Sequence, residues 1–186
     1  YCAIGCVETG VPGKYGHRAT GMTYVNWGKL VELVLNNGKD PKSGIQLISV
    51  NGQDNMNIDY KNYDELWGAW EKLLKYYSDL AVECDSICDR SLAKYDASPF
   101  ASCFIDNCIE VGKTLKNGGA EYDYVSQSNI GPSVVGDSLA AVKKLVFDDK
   151  AITMKQLRDA MDTNFEGIEG AKIRKLCRQA PKFGND

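Results

Sequence analysis

Gly5-Cys6-Val7-Glu8-Thr9-Gly10, then Val11-Pro12-Gly13-Lys14-Tyr15-Gly16-His17-Arg18, then Gly21-Met22, is the stretch from which the rest of the chain is read. A thiol and a carboxylate stand two residues apart. Glycines surround them at positions 5, 10, 13, 16 and 21. Backbone that free, with so few side chains to pack, cannot hold a helix or a central strand and reads as a tight loop. Ala3 and Ile4 lead into it, and a helical period begins soon after it. The expected setting is strand, loop, helix, with Cys6 and Glu8 presented to one space. Loops held by a rigid scaffold are where chemistry concentrates.

Working outward, the 186 residues amount to about one domain. At 44% apolar, the composition is sufficient for a real core. The formal charge is only -3 and Lys and Arg are scattered, which argues against nucleic acid or a membrane surface as partner. No apolar run approaches the ~20 residues of a membrane span, and no secretory leader is visible. Tyr1 stands where an initiating Met would, inside what reads as a strand, so a piece of a longer polypeptide is expected. Cysteines stand at 2, 6, 84, 88, 103, 108 and 177. Their odd number, in a chain of this length, fits a reduced cytoplasmic protein rather than a disulfide scaffold. Those on helical segments are expected to be buried thiols, since free Cys packs as a small hydrophobe.

Most of the chain has helical period. Tyr24, Trp27, Leu30, Val31, Val34 and Leu35 share a face over 24–36, ended by Asn37-Gly38. Asp40-Pro41-Lys42-Ser43-Gly44 is a turn, 45–50 a short strand, and 51–57 a polar loop. Asn62 or Asp64 caps a long helix to about 92, with Leu66, Trp67, Trp70, Leu74, Tyr77, Ala81, Cys84 and Ile87 or Cys88 inward. Ser98-Pro99 opens a helix with a stripe of Phe100, Cys103, Phe104, Cys108 and Val111, stopped by Asn117-Gly118-Gly119. Residues 121–126 alternate as a strand, and 127–132 read as a turn. Three helices follow: 139–147 capped by Asp137 or Ser138, one to about 164 with the Thr153/Gln156 capping box, and 169–178. Short strands alternating with long helices predict an α/β architecture.

Familiar site motifs fail on inspection. Gly131 to Gly136 has P-loop glycine spacing, but Asp137-Ser138 follows, and a carboxylate there would repel phosphate. No Gly-x-Gly-x-x-Gly follows a strand. Cys84 and Cys88 share a helix face, but the third cysteine of a radical-SAM cluster pattern is replaced by Ser91. His17 is the only histidine, so a thiol hydrolase would have to pair Cys6 with it. His17 has no evident orienting partner, and a solvated or substrate-facing histidine is the better reading. No metal site is expected.

The order of segments along the chain resembles the glycyl radical enzymes, the pyruvate formate-lyase superfamily, in its dehydratase-like branch. Gly5-Cys6-Val7-Glu8 resembles their active-site cysteine loop. Val34-Leu35-Asn36-Asn37-Gly38 with Asp40-Pro41 and Gly44 is similar to the segment after it. Ser98-Pro99-Phe100, Asp106, Cys108-Ile109-Glu110, and Gly118-Gly119-Ala120 with Tyr122 are similar too. So are Asp137-Ser138-Leu139-Ala140-Ala141, Lys143-Lys144-Leu145-Val146-Phe147 and Pro181-Lys182-Phe183-Gly184-Asn185-Asp186. A Cys-x-Glu alone is a weak signal; this series in order is a strong one.

The resemblance implies a helix-rich internal fragment, residues 1–186, of a ten-stranded α/β barrel built from two half-barrels, with the cysteine loop entering its centre. It implies a glycyl radical stored on a residue outside this chain, which has no Arg-Val-x-Gly-Tyr motif. A radical-SAM activase installs that radical, and the fragment binds no cofactor directly. The implied partners are a small-molecule substrate, the activase, the remainder of the parent barrel and a second copy of the full-length protein. By motif match Cys6 becomes the thiyl radical and Glu8 the general base, while His17 and Arg18 are candidates for substrate binding. The implied reaction is radical dehydration or carbon–heteroatom cleavage of a small hydroxylated metabolite. Isolated, the fragment is expected to be inert.

Two further readings stand beside it. One is formate acetyltransferase-like cleavage of a 2-keto acid, but that enzyme type has two adjacent cysteines in the loop, where Gly5-Cys6 supplies one. The other is an inactive truncated relic. Thr9-Gly10 follows Glu8 where choline- and glycerol-type members have proline, so the resemblance assigns no substrate.

Overall fold

The computed structural model describes residues 2–3, 9–16, 23–48, 59–124 and 127–184. The chain divides into two compact units, one of residues 1–25 and 77–129, the other of residues 26–76 and 130–186. Both are discontinuous in sequence, so a search for a linker or a shift in composition could not separate them.

In the second unit, α1 (Trp27–Leu35) begins at Asn26, whose side chain accepts from the Lys29 N–H at 3.1 Å. Leu30, Val31, Leu33, Val34 and Leu35 are buried. The end of α1 leaves no last-turn carbonyl without a named donor. Asn36 Nδ2 donates to Glu32 O at 2.9 Å, and the N–H groups of Asn36 and Gly38 donate to Leu33 O. The Tyr60 hydroxyl donates to Val34 O at 2.7 Å, and the Arg158 guanidinium to Leu35 O at 3.5 Å. These are the carbonyls an α-helix cannot satisfy internally. Gly38 has φ +77°, and a Cβ there would lie 1.5 Å from Ile48 O, so only glycine fits.

The long helix α2 (Tyr63–Tyr95) is capped by Asn62, which accepts from the Glu65 N–H at 2.9 Å. Its first half buries Leu66, Trp70 and Leu73 in this unit. The other helices of the unit are α5 (Pro132–Val142), which runs on as a π-helical turn Lys143–Asp148, α6 (Met154–Asp162) and α7 (Gly167–Gln179). α1 packs on α5, and α7 on both α5 and α6. Leu139, Leu145, Leu157 and Ile173 fill the space between them.

In the first unit, β1 (Cys2–Ala3) and β2 (Thr9–Gly10) pair antiparallel, Cys2 opposite Gly10 and Ala3 opposite Thr9. A second two-stranded sheet pairs β3 (Tyr24–Asn26) with β4 (Ser128–Ile130), of which residues 24–25 and 128–129 belong to this unit. The unit also holds the later part of α2, two short helices, α3 (Pro99–Ser102) and α4 (Cys108–Val111), and a 3₁₀ turn Leu115–Asn117.

Several expectations are corrected. The described residues form two-stranded sheets only, so the α/β alternation is far more helical than expected and no ten-stranded barrel closes within them. The helix from Ser98 is not continuous: Asn107 at φ 74° and Gly112 at φ 64° break it into two single turns. Its supposed inner stripe is therefore outward, with Phe100 and Phe104 exposed and Cys108 alone buried. Residues 121–124 make a single bridge, Tyr15 with Tyr122, rather than a strand, and the strand falls instead at Ser128–Ile130. The helix expected from 139 starts seven residues earlier, at Pro132, and Asp137 accepts the Phe183 N–H at 2.8 Å instead of capping it. In 45–48 there is only the bridge from Lys39 to Gln46, with Ile45 and Leu47 exposed. The helical thiols are mostly not buried: Cys84 and Cys103 are exposed, Cys88 and Cys177 half-buried. The loop expected at 51–57 lies outside the described residues.

Candidate functional site

Cys6, Glu8, His17 and Arg18 all lie outside the described residues. What the structure gives is the frame on either side of them, entirely within the first unit. Residues 4–8 connect the paired strands β1 and β2, so the chain enters and leaves the Cys6–Glu8 segment through one ladder.

The leaving side is held along its length by residues 121–124. The Tyr124 hydroxyl donates to the backbone carbonyl of Thr9. The Tyr124 ring stacks on Tyr15, centroids 4.6 Å apart at 24°, and Tyr15 is 1% exposed. Tyr122 N–H donates to Lys14 O at 2.9 Å, and Gly16 N–H returns a bond to Tyr122 O at 3.0 Å. Lys14 Nζ lies 2.6 Å from the Glu121 carboxylate and 3.9 Å from that of Asp106. The hydrogen bond from Lys14 holds the Glu121 carboxyl below its ordinary range, and the same bond raises the Lys14 ammonium. Both are surface groups, so this pair adds orientation more than stability. The Asp106 N–H donates to Gly13 O at 2.6 Å. At Gly16 a Cβ would come within 2.9 Å of Leu115 O, which is why this close approach takes a glycine.

Residues 17–22 are bounded by that anchor at Gly16 and by a second at Thr23. The Thr23 hydroxyl donates to the carboxylate of Asp85, a residue of α2 only 5% exposed. A cavity of about 340 Å³ adjoins it, lined by Val82, Asp85, Ser86, Asp89, Arg90 and Gln127. Among the described residues no group of three or more His, Cys, Asp or Glu could hold a metal ion. No helix among them is long and apolar enough to cross a membrane.

Sequence reasoning missed Tyr124, Tyr15, Thr23 and Asp85. The alternation of Tyr122 and Tyr124 was a real signal, since these residues do run beside another segment. Its partner, residues 9–16, is more than a hundred positions away and carries no matching pattern.

A double-ended mount for a short Cys-x-Glu segment, built from this order of residues, can be set against known proteins. The sequence model of the pyruvate formate lyase-like family matches residues 1–186. The chain belongs to the pyruvate formate lyase-like family. Within this family it is 38% identical over 187 residues to the "Probable dehydratase YbiW" of Escherichia coli, spanning 100% of this chain and 23% of that protein. The crystal structure of hydroxyproline dehydratase from Clostridioides difficile, with trans-4-hydroxy-L-proline bound, matches with TM-score 0.85 and 39% identity over 97% of this chain and 22% of that one. A structure of a glycyl radical enzyme from Archaeoglobus fulgidus matches with TM-score 0.74 and 25% identity, over 87% and 20%. The chain thus spans less than a quarter of the length of the relatives it matches. Other relatives bear the names trans-4-hydroxy-L-proline dehydratase, of Clostridioides difficile, isethionate sulfite-lyase, of Bilophila wadsworthia, and indoleacetate decarboxylase, of Tractidigestivibacter scatoligenes.

Proposed function

We propose that the protein containing this chain is a glycyl radical dehydratase or carbon–heteroatom lyase, with Cys6 as the hydrogen-abstracting thiyl radical and Glu8 as the general base. The observation that carries the reading is the Gly5-Cys6-Val7-Glu8 segment inside a family match over all 186 residues, with dehydratases among the relatives. In this reading residues 1–186 are part of the parent barrel domain, and the stored radical is on a glycine elsewhere in that protein. A radical-SAM activase generates it, in the cytoplasm, and the full-length protein pairs with a second copy. The glycyl radical, when present, would take the hydrogen atom of the Cys6 thiol, leaving a C–H bond on the glycine and a thiyl radical on the Cys6 sulfur.

The chemistry balances on this chain's own side chains. The Cys6 sulfur takes a hydrogen atom from a hydroxyl-bearing substrate carbon, making S–H and a carbon radical. The Glu8 carboxylate takes the hydroxyl proton of that radical. The adjacent carbon–heteroatom bond breaks heterolytically, the leaving group departs with its bonding pair, and the odd electron moves beside the new carbonyl. The Glu8 proton neutralises the leaving group, and Cys6 returns its hydrogen atom to the product radical. The net change is loss of one H–X, and both side chains are restored. His17 and Arg18 contribute binding of a polar or anionic group on the substrate.

The test uses the full-length, anaerobically activated protein. Glu8→Gln should keep the glycyl radical signal and lose elimination by about 10²–10⁴-fold, the usual worth of a general base. Cys6→Ala should abolish hydrogen abstraction from substrate altogether. Near wild-type elimination by Glu8→Gln would overturn the role of Glu8, whereas cleavage of a 2-keto acid that survives Glu8→Gln would favour formate acetyltransferase-like chemistry, which needs no such base.

A further inference from the structure

We propose that the face of α2 between Leu80 and Tyr95 is a twofold interface, on which α2 of one full-length molecule packs antiparallel against α2 of a second copy. The inference deepens, and rests on, the pairing with a second copy in the reading above. It uses none of the radical chemistry.

In the first unit α2 turns Ala81, Asp85 and Asp89 inward, and all three are buried. Leu80, Cys84, Ile87 and Ser91 lie on another side, and all four are exposed. At about 100° per residue they fall within about 60° of one another and about 130° from the buried row. Their spacing of four, three and four residues is the narrow seam of a helix pair rather than the broad stripe of a helix sunk in a core. Ser91 does not interrupt the seam, because its hydroxyl donates to Ile87 O at 2.9 Å and needs no outside partner. Tyr95, the next position of the seam, is exposed as well.

Charge says what covers this seam. Asp79, Glu83, Arg90 and Lys94 are exposed and stand along one flank of it, the acids before the bases. Glu83 and Arg90 are two turns apart, about 10.5 Å along the axis, which is too far for them to pair with each other. A second α2 running parallel would set Glu83 against Glu83 and Arg90 against Arg90, and like charges oppose it. Running antiparallel about a twofold axis beside Ser86, it brings the partner's Arg90 to Glu83 and the partner's Lys94 to Asp79, each contact made twice by symmetry. The same register sets Leu80 against the partner's Ser91 and Cys84 against the partner's Ile87. Large side chains then face small ones, and the two seams interdigitate. One register therefore serves both the apolar row and the charged flank. Such a pair is closed, since it uses up the seam of both copies, and this separates it from open-ended association through scattered apolar residues.

The experiment is sedimentation of the full-length protein, without activation, as wild type, Glu83→Arg and Arg90→Glu. Wild type should be a dimer. Each variant alone sets like charges against each other twice and should raise the dimer dissociation constant by about tenfold or more. Mixed in equal amounts, the two variants should pair again with near wild-type affinity, because in the mixed dimer every acid of the central pair meets a base. Mixing cannot rescue a folding defect, so this recovery reads the contact itself. Ile87→Asp, which places a charge in the seam, should be monomeric both alone and mixed. A monomeric wild type overturns the pairing with a second copy and this surface with it. A dimer whose affinity is unchanged in all three variants leaves the pairing in place and overturns the surface. Variants weakened alone and not restored by mixing overturn the antiparallel register, and α2 is then covered by another segment.

Discussion

The Tyr60 hydroxyl and the Arg158 guanidinium reach Val34 O and Leu35 O, two of the four last-turn carbonyls that α1 cannot satisfy by itself. Burial is the main reason the Tyr60 phenol is pushed well above the usual tyrosine range. The unfolded chain therefore loses that proton first, near pH 10. Stability from the neutral phenol is complete below that pH and is lost as pH rises toward the folded value. Tyr60→Phe should cost about 1–3 kcal/mol at neutral pH, because it leaves the Val34 carbonyl buried without its donor. It should also flatten the alkaline loss of stability. Urea titrations of wild type and variant at pH 7 and above pH 10 check both; a constant difference across that range would show that the phenol is not the titrating group. Nothing in the sequence marks Tyr60 for this task, since its partner is 26 residues away and any tyrosine in a helical protein looks alike. The roles proposed for Cys6 and Glu8 rest on the opposite kind of signal, residue type and flanking order, which a resemblance to the family reads without geometry.

Helix ends were legible where a side chain caps its own neighbourhood. Of Asn62 and Asp64, the two caps the sequence offered for α2, Asn62 is the one that accepts from the helix. The Thr153/Gln156 box at α6 is formed in both directions, Gln156 N–H to Thr153 Oγ1 at 3.1 Å and Thr153 N–H to Gln156 Oε1 at 2.8 Å. Such contacts span three or four residues, so their pattern survives in one dimension. Interiors were legible where the helical period is unbroken, as at Leu30, Val31, Val34 and Leu35 of α1, and not where a distant contact breaks it. Phe100, Cys103, Phe104, Cys108 and Val111 have helical spacing, but left-handed backbone at Asn107 ends the period between them. Pro132 was read as the end of a turn, and its fitness for a first helical turn starts α5 there instead. Thr153→Ala tests the legible class: it should cost about 1 kcal/mol and lower the thermal midpoint without changing the far-ultraviolet spectrum of the folded state. Thr153→Ser should restore most of the loss. Equal stability of all three proteins would mean that tertiary contacts alone, such as buried Leu157 and Ala160, hold α6.

Neither compact unit is contiguous in sequence, and this is why one fold was read where two units are observed. Composition changes along a chain, not across it, so residues 1–25 give no sign that they belong with 77–129. The surfaces of the two units carry a second message. In the first, Phe100 is 78% exposed and its ring lies edge-on to Phe104, itself 67% exposed, with Ile109 at 69% beside them in sequence. In the second, Ile168 is 79% exposed on α7. Apolar residues grouped this way mark surfaces that another chain or segment covers. The chain spans only 22–23% of its curated relatives at nearly full coverage of itself, so polypeptide of the kind that would cover them is present in those relatives. The 186 residues alone should therefore associate, sedimenting above the 20.5 kDa monomer, and should turn over no substrate under anaerobic activation. Co-expression with the rest of the parent barrel should abolish the association. A compact, soluble 20.5 kDa monomer would show that these aromatic and aliphatic side chains need no cover, and measurable turnover by that monomer would place the whole radical machinery within these residues.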